Sequence, residues 1–178
     1  MKVIFFGTPV FAATILQFLI DHEVEVVAVV SKPDKPIGRS RKLVPTPVKE
    51  VALAHSIPLY QPEKISAPNV ADDLIKYDAD VFAVVAYGEI LKQHILDMPK
   101  KACINLHASL LPKYRGAAPI QQAIINGEKE TGVTVMHMVK AMDAGDIIKV
   151  AKTPIDINET YGEVQDRLCD IGSVLFFE

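Results

Sequence analysis

Apolar residues recur along this chain with two different periods. Residues 3–6 form an unbroken apolar run that stops at Gly7-Thr8-Pro9, the pattern of a short strand buried on both faces. Phe11, Ile15, Phe18 and Leu19 then recur at helical spacing, and Pro9 suits the first turn of that helix. The valine-rich residues 24–30 read as a second strand. The opening segment is therefore β-α-β, which implies a parallel pair joined by a right-handed crossover.

Residues 31–47 break this rhythm. Pro33, Pro36, Gly38, Pro45 and Pro47 argue against any regular element, so the segment is expected to be a long loop. Periodicity resumes with helices expected at 48–55 and 71–77, a strand at 80–86 closed by Tyr87-Gly88, and a helix near 89–94. A strand follows at 102–106, then a helix at 117–126 stopped by Gly127. Residues 131–138 and 147–152 read as strands, joined too closely for a helical crossover and so expected to be antiparallel. Tyr161, Val164, Leu168, Ile171 and Leu175 mark a closing amphipathic helix. The expected class is α/β: a Rossmann-like, open, mostly parallel mixed sheet with helices on both faces, in one domain over 1–178.

Composition changes this picture in one place. With 49% hydrophobic and 23% charged residues, the 178-residue chain can build a core and is not a disordered polymer. Its net charge of −3 hides an asymmetry. Residues 31–49 carry Lys32, Lys35, Arg39, Arg41, Lys42 and Lys49 against Asp34 alone, a local +5 that leaves −8 elsewhere. A basic segment on an acidic body can choose where a polyanion lands without making the whole surface adhesive. Cys103 and Cys169 sit in apolar patterns and are expected to be reduced and packed. No Cys/His spacing suggests a metal, and no apolar stretch is long enough to span a bilayer, so a cytoplasmic protein without metal is expected.

The candidate chemistry lies in Cys103-Ile104-Asn105-Leu106-His107-Ala108-Ser109-Leu110-Leu111-Pro112. Two residues apart on a strand, Asn105 and His107 project from one face, at the carboxyl end where open α/β sheets bind ligands. A neutral donor beside an imidazole suits a reaction that builds charge on oxygen while a proton moves. Spacing alone leaves open the alternative of a capping asparagine and a satisfied core histidine. Asp143, in the turn Met142-Asp143-Ala144-Gly145-Asp146, could bring a carboxylate to the imidazole; Asp146 is the competitor and is expected to help hold the turn. His22, His55, His94 and His137 lack such a neighbourhood and read as surface or packing residues. Phe6-Gly7-Thr8-Pro9 looks like a nucleotide-binding turn, but no G-x-G-x-x-G follows and a tight turn explains it.

Asn105-Leu106-His107-Ala108-Ser109-Leu110-Leu111-Pro112 followed by Arg115-Gly116-Ala117-Ala118-Pro119-Ile120 resembles the signature of the folate-dependent formyltransferases, and Asp143-x-Gly145 resembles their aspartate loop. Phe6-Gly7-Thr8-Pro9-x-Phe11-Ala12, Pro33-Asp34-Lys35-Pro36-x-Gly38-Arg39, Lys42-Leu43-x-Pro45-x-Pro47-Val48-Lys49 and Val85-Ala86-Tyr87-Gly88 are similar to the methionyl-tRNA branch of that family. The resemblance implies formyl transfer from 10-formyltetrahydrofolate to methionyl initiator tRNA, with Asn105, His107 and Asp143 as the catalytic trio. It implies folate contacts at Ser109, Leu110, Leu111 and Pro112 and along Val85, Ala86, Tyr87 and Gly88, and tRNA contacts at Arg39, Arg41 and Lys42. It further implies a C-terminal β-barrel domain that a chain ending at Glu178 does not contain. A monomer is assumed. The competing expectations are the same chemistry on an amino sugar or a purine precursor, hydrolysis of the folate, and a non-catalytic binding module.

Overall fold

The computed structural model describes residues 1–37 and 41–178, which fall into two compact units, 1–103 and 104–178. The first contains β1 (Lys2–Gly7), α1 (Val10–Asp21), β2 (Glu25–Val30), β3 (Lys35–Ile37), β4 (Lys42–Val44), α2 (Pro47–Ala54), β5 (Leu59–Tyr60), α3 (Pro68–Ile75), β6 (Val81–Val85) and α4 (Gln93–Leu96). Its parallel strands run in the order β5-β2-β1-β6. The crossover from β2 and β5 back to β6 passes β1, so the chain reverses its winding between β1 and β6, the place where α/β sheets open a crevice. β1 and β6 are buried along nearly their whole length, which is why neither alternates polar with apolar.

Local chemistry explains most of the boundaries. Pro9 stands at the N-cap of α1, one position before the first turn expected for it, and its carbonyl accepts from Ala13 N at 3.0 Å. Gly7 is required by proximity: a Cβ there would lie 2.7 Å from both Ala12 Cβ and Phe5 Cε1. Thr46 caps α2 by accepting from Lys49 N at 3.2 Å and pairs with the buried Ser31 hydroxyl at 2.7 Å.

Two expectations need correction in this unit. The segment 31–47 is not wholly irregular, because β3 and β4 pair antiparallel, Lys35 opposite Val44 and Pro36 opposite Leu43. A two-stranded ribbon leaves one side of each strand unpaired, and there a proline costs no ladder bond. The helix expected near 89–94 begins later, at Gln93, because Glu89 is drawn away: its two oxygens take Lys32 Nζ at 2.7 Å and Ile65 N at 3.0 Å.

The second unit holds β7 (Ala102–His107, starting just before the boundary), α5 (Pro119–Ile125), β8 (Glu130–His137), β9 (Ile147–Pro154) and α6 (Tyr161–Phe177). β8 pairs antiparallel with both β7 and β9, as expected for the last two strands, so the strand set of the chain is mixed and mostly parallel. α6 opens with a capping box: Thr160 accepts from Glu163 N at 3.4 Å while Glu163 accepts from Thr160 N at 2.8 Å. Arg167 ties α6 to β9 through Thr153 Oγ1 and Pro154 O, each at 2.7 Å, and pairs with Glu159. Cys103 and Cys169 are both buried. Among the described residues no helix is long and apolar enough to cross a membrane.

Gly132 in β8 has no room for a side chain, since a Cβ would run into the Ala151 carbonyl and Leu110 Cδ2. Gly132→Ala is expected to lower stability by about 1–3 kcal/mol, read as a fall in urea midpoint at constant m-value. Acid should act through Glu159. Arg167, then the Asp156 N–H, holds its carboxyl down to about 2 from an ordinary 4.5. Its contribution is therefore present above pH 4.5 and lost as pH falls towards about 2. Glu159→Gln should flatten the stability curve over that window.

Candidate active site

Asn105 and His107 stand on the same face of β7, opposite Met136 and Thr134 of antiparallel β8. β8, the described partner of β7, runs antiparallel to it. Neither residue is a cap; both lie inside the strand and are buried, at 8% and 7% exposed. The Asn105 carboxamide has no hydrogen-bond partner among the described residues, so its donors and acceptor are free for a ligand or water.

His107 is held from both sides. Its Nε2 lies 2.9 Å from the Tyr114 carbonyl oxygen. A carbonyl can only accept, so Nε2 carries a hydrogen whatever the charge of the ring. The remaining nitrogen, Nδ1, faces Asp143 Oδ2 at 3.8 Å, too long for a direct hydrogen bond. The same Oδ2 accepts from Gly116 N at 2.7 Å. One turn, 114–116, therefore offers its carbonyl to the histidine and its amide to the aspartate.

The aspartate loop is fixed at its far end. His137 N donates to the Asp146 carbonyl at 2.9 Å, so Asp146 does hold the turn, through its backbone. Gly145 lies against the His137 carbonyl so closely that a Cβ would overlap it. Asp143 itself has a left-handed φ of 47°, a conformation that aspartate tolerates better than most residues. His22, His55, His94 and His137 are exposed.

The segment after β7 is internally committed. Ser109 is fully buried; its hydroxyl donates to Lys113 O at 2.6 Å and its carbonyl accepts from Thr134 Oγ1 at 2.7 Å. Leu111 N donates to Thr134 Oγ1 at 3.2 Å. Leu110 and Leu111 are half-buried and Pro112 is exposed. A cavity of about 250 Å³ is walled by residues 110–114 with Glu130, Thr131 and Lys152. Asn105, His107 and Asp143 are not in its walls, and Glu130 and Lys152 pair with each other at 3.1 Å. Glu128 receives the Tyr114 hydroxyl at 2.7 Å and Lys113 Nζ at 3.0 Å, which hold its carboxyl below the usual range.

In the first unit, β6 ends in a turn with left-handed Ala86 (φ 46°) and Gly88 (φ 86°) on either side of Tyr87. Thr8 Oγ1 donates to the Tyr87 carbonyl at 2.9 Å. The Tyr87 ring is buried, its hydroxyl has no partner among the described residues, and burial pushes its pKa up. Of the basic segment, Lys32 pairs with Glu89 and Lys49 with Asp34 at 2.6 Å. Lys49, then Gln61, keeps the Asp34 carboxyl below its usual value. Arg41 and Lys42 are exposed and have no carboxylate partner among the described residues. Arg39 lies outside the described residues.

The sequence did not point to Tyr114, Thr134 or Glu128. Tyr114 acts on His107 through a main-chain oxygen, which carries no residue-type signal, whereas Gly116 was visible as part of a motif.

The pattern of the family described as "Formyl transferase" matches residues 1–178. The methionyl-tRNA formyltransferase of Protochlamydia amoebophila is 65% identical over 178 residues, 100% of this chain and 56% of that protein. That of Staphylococcus aureus strain N315 is 49% identical over 177 residues, 99% of this chain and 57% of that protein. The chain thus spans about half the length of the curated relatives it matches. Among solved structures, the phosphoribosylglycinamide formyltransferase of Bacillus halodurans shares the fold at TM-score 0.80 and 24% identity, covering 98% of this chain and 91% of that one. A sugar 3N-formyl transferase, solved with dTDP and 5-N-formyl-THF, aligns at TM-score 0.70 and 26% identity over 99% of this chain and 60% of that one. A match that runs from the first residue to the last, around a buried Asn-x-His strand end with an aspartate at its imidazole, means that the chain belongs to the formyl transferase family.

Proposed function

We propose that this chain is the catalytic part of a methionyl-tRNA formyltransferase, moving the formyl group of 10-formyltetrahydrofolate to the α-amino group of methionyl initiator tRNA in the cytoplasm. The observation that carries it is the His107 Nδ1–Asp143 Oδ2 approach of 3.8 Å beside the unpartnered Asn105 amide. The 65% identity along the whole chain to a methionyl-tRNA formyltransferase supports the choice of acceptor.

The amine attacks the formyl carbon, a C–N bond forms, and the carbonyl π pair moves onto oxygen. Asn105 donates an N–H to that oxyanion; removing such a donor typically costs about 10²–10³ in rate. Because Nε2–H is given to Tyr114, the proton that His107 can share or exchange is the one at Nδ1, on the aspartate side. Asp143 accepts a proton from the ammonium that the attack creates. Collapse of the intermediate breaks the bond to the folate nitrogen, which leaves with that proton. No covalent enzyme intermediate is needed; position and charge stabilisation suffice for an activated donor.

The folate suits two segments. The buried β6 offers an apolar wall, and Val85, Ala86, Tyr87 and Gly88 offer backbone groups for a flat heterocycle; Leu110, Leu111 and Pro112 offer further apolar surface, while the Ser109 hydroxyl is already spent on Lys113 O. For the tRNA, Arg41 and Lys42 are unneutralised cations of the basic segment, with Arg39 beside them in sequence. Lys32 and Lys49 already have carboxylates and contribute less to phosphate binding.

The deciding experiment mixes the protein with 10-formyltetrahydrofolate and charged initiator tRNA, with an amino sugar in parallel, and follows formylated product. Formylated sugar alone, or formate alone, would replace this reading. His107→Ala should abolish transfer and leave folate affinity nearly unchanged by calorimetry; retained turnover with lost folate binding would contradict its role. The double variant Arg41→Ala/Lys42→Ala should weaken tRNA binding and leave the folate KM alone. It should also make log K fall less steeply with log salt, by about one for each phosphate no longer held.

A further inference from the structure

Two catalytic groups are held by one turn, and what holds that turn lies outside the motifs that carry the family signature. Tyr114 presents its carbonyl to His107 Nε2 at 2.9 Å, and Gly116 presents its amide to Asp143 Oδ2 at 2.7 Å. Yet the backbone here is not at rest. Tyr114 (φ 56°), Gly116 (φ 84°) and Ala118 (φ 60°) are all left-handed, and an aromatic residue in that region persists only where its surroundings over-determine it.

The surroundings are specific. The Tyr114 phenol donates to Glu128 Oε1 at 2.7 Å and accepts from Asn126 Nδ2 at 3.1 Å. Lys113 Nζ reaches both oxygens of Glu128, at 3.0 and 3.1 Å. On the other side, the Ser109 hydroxyl holds the Lys113 carbonyl at 2.6 Å. Glu128 is itself anchored by backbone: α5 ends with Gly127 at φ 65°, Gly127 N donates to Ile124 O and Glu128 N to Ala123 O, each at 3.0 Å. Those are the two bonds of a Schellman helix end, so the carboxylate hangs from the stiff terminus of a helix.

We propose that Tyr114 and Glu128 are positioning residues for the reaction: the phenol–carboxylate bond fixes the turn 114–116, and through it the ring orientation of His107 and its distance from Asp143. The proposal rests on the reading of His107 and Asp143 as catalytic and adds the device that holds them. Neither side chain belongs to the segments assigned above to folate or tRNA. A lever of this kind acts on geometry, so its loss lowers kcat while the substrate sites, built from other segments, keep their KM values.

Tyr114→Phe removes one hydroxyl and keeps the ring. It is expected to lower kcat about tenfold or more, with both KM values within about twofold of the parent. Glu128→Ala should do the same, and Glu128→Gln, whose amide oxygen still accepts from the phenol, should restore most of the rate. The readout independent of activity is ¹⁵N NMR of histidine-labelled protein. In the parent, His107 should show a hydrogen fixed on Nε2; in Tyr114→Phe and Glu128→Ala the ring signals should shift or broaden as that bond loosens. Unchanged kcat and unchanged His107 signals in folded Tyr114→Phe overturn the proposal, as does Glu128→Gln being no better than Glu128→Ala. If His107→Ala stays active, the catalytic reading falls, while the NMR comparison still reports separately on the anchor.

Discussion

A backbone carbonyl fixes which nitrogen of His107 carries a hydrogen. Because Tyr114 O takes the hydrogen on His107 Nε2, Nδ1 is the one ring nitrogen that faces Asp143. Were the ring free to flip, Nδ1 and Nε2 would exchange roles, and the aspartate would serve no fixed partner. The amide of Gly116 completes the arrangement by fixing the carboxylate oxygen that faces the ring. Other parts of the second unit serve this arrangement: β8 sets the height of the His107 strand end through the Thr134 register, and the Thr134 hydroxyl holds the following turn.

The basic segment shows how charge counted along a sequence differs from charge offered to a partner. Six cations stand in residues 31–49, but Lys32 and Lys49 are bound to Glu89 and Asp34 and serve as ties within the first unit. Partly buried pairs of this kind act on shape more than on net stability. The Lys32 ammonium also stands 5.9 Å from the Tyr87 ring centre, next to the left-handed turn after β6. Lys35, Arg41 and Lys42, on or beside the β3–β4 ribbon, are exposed instead.

Much of this was legible in the order of residues. The unbroken apolar runs of β1 and β6, the Gly127 stop of α5 and the short β8–β9 connection each follow from a rule of local chemistry. Asn105 and His107 sharing a face followed from strand alternation alone. What escaped had physical reasons. β5 is two residues long, too short to show any period. The β3–β4 ribbon was hidden by prolines that an unpaired edge tolerates. The late start of α4 depends on Glu89 finding Lys32 and Ile65 N, which are distant in sequence. The Tyr114–His107 contact is made by a main-chain atom, and no residue choice announces it.

Gly145 has a different task from its motif partner Asp143. It makes no claim on substrate; it sits flush against the end of β8, where even a methyl group would collide with the His137 carbonyl. If Asp143 acts as proposed, a saturation screen that records turnover alone would score this position as severely as Asp143, and for an unrelated cause. Substitution at Asp143 deletes a carboxylate, whereas substitution at Gly145 pries the whole loop off its seat and carries an intact carboxylate out of reach. Invariance at such a spot would report steric exclusion, not reactivity.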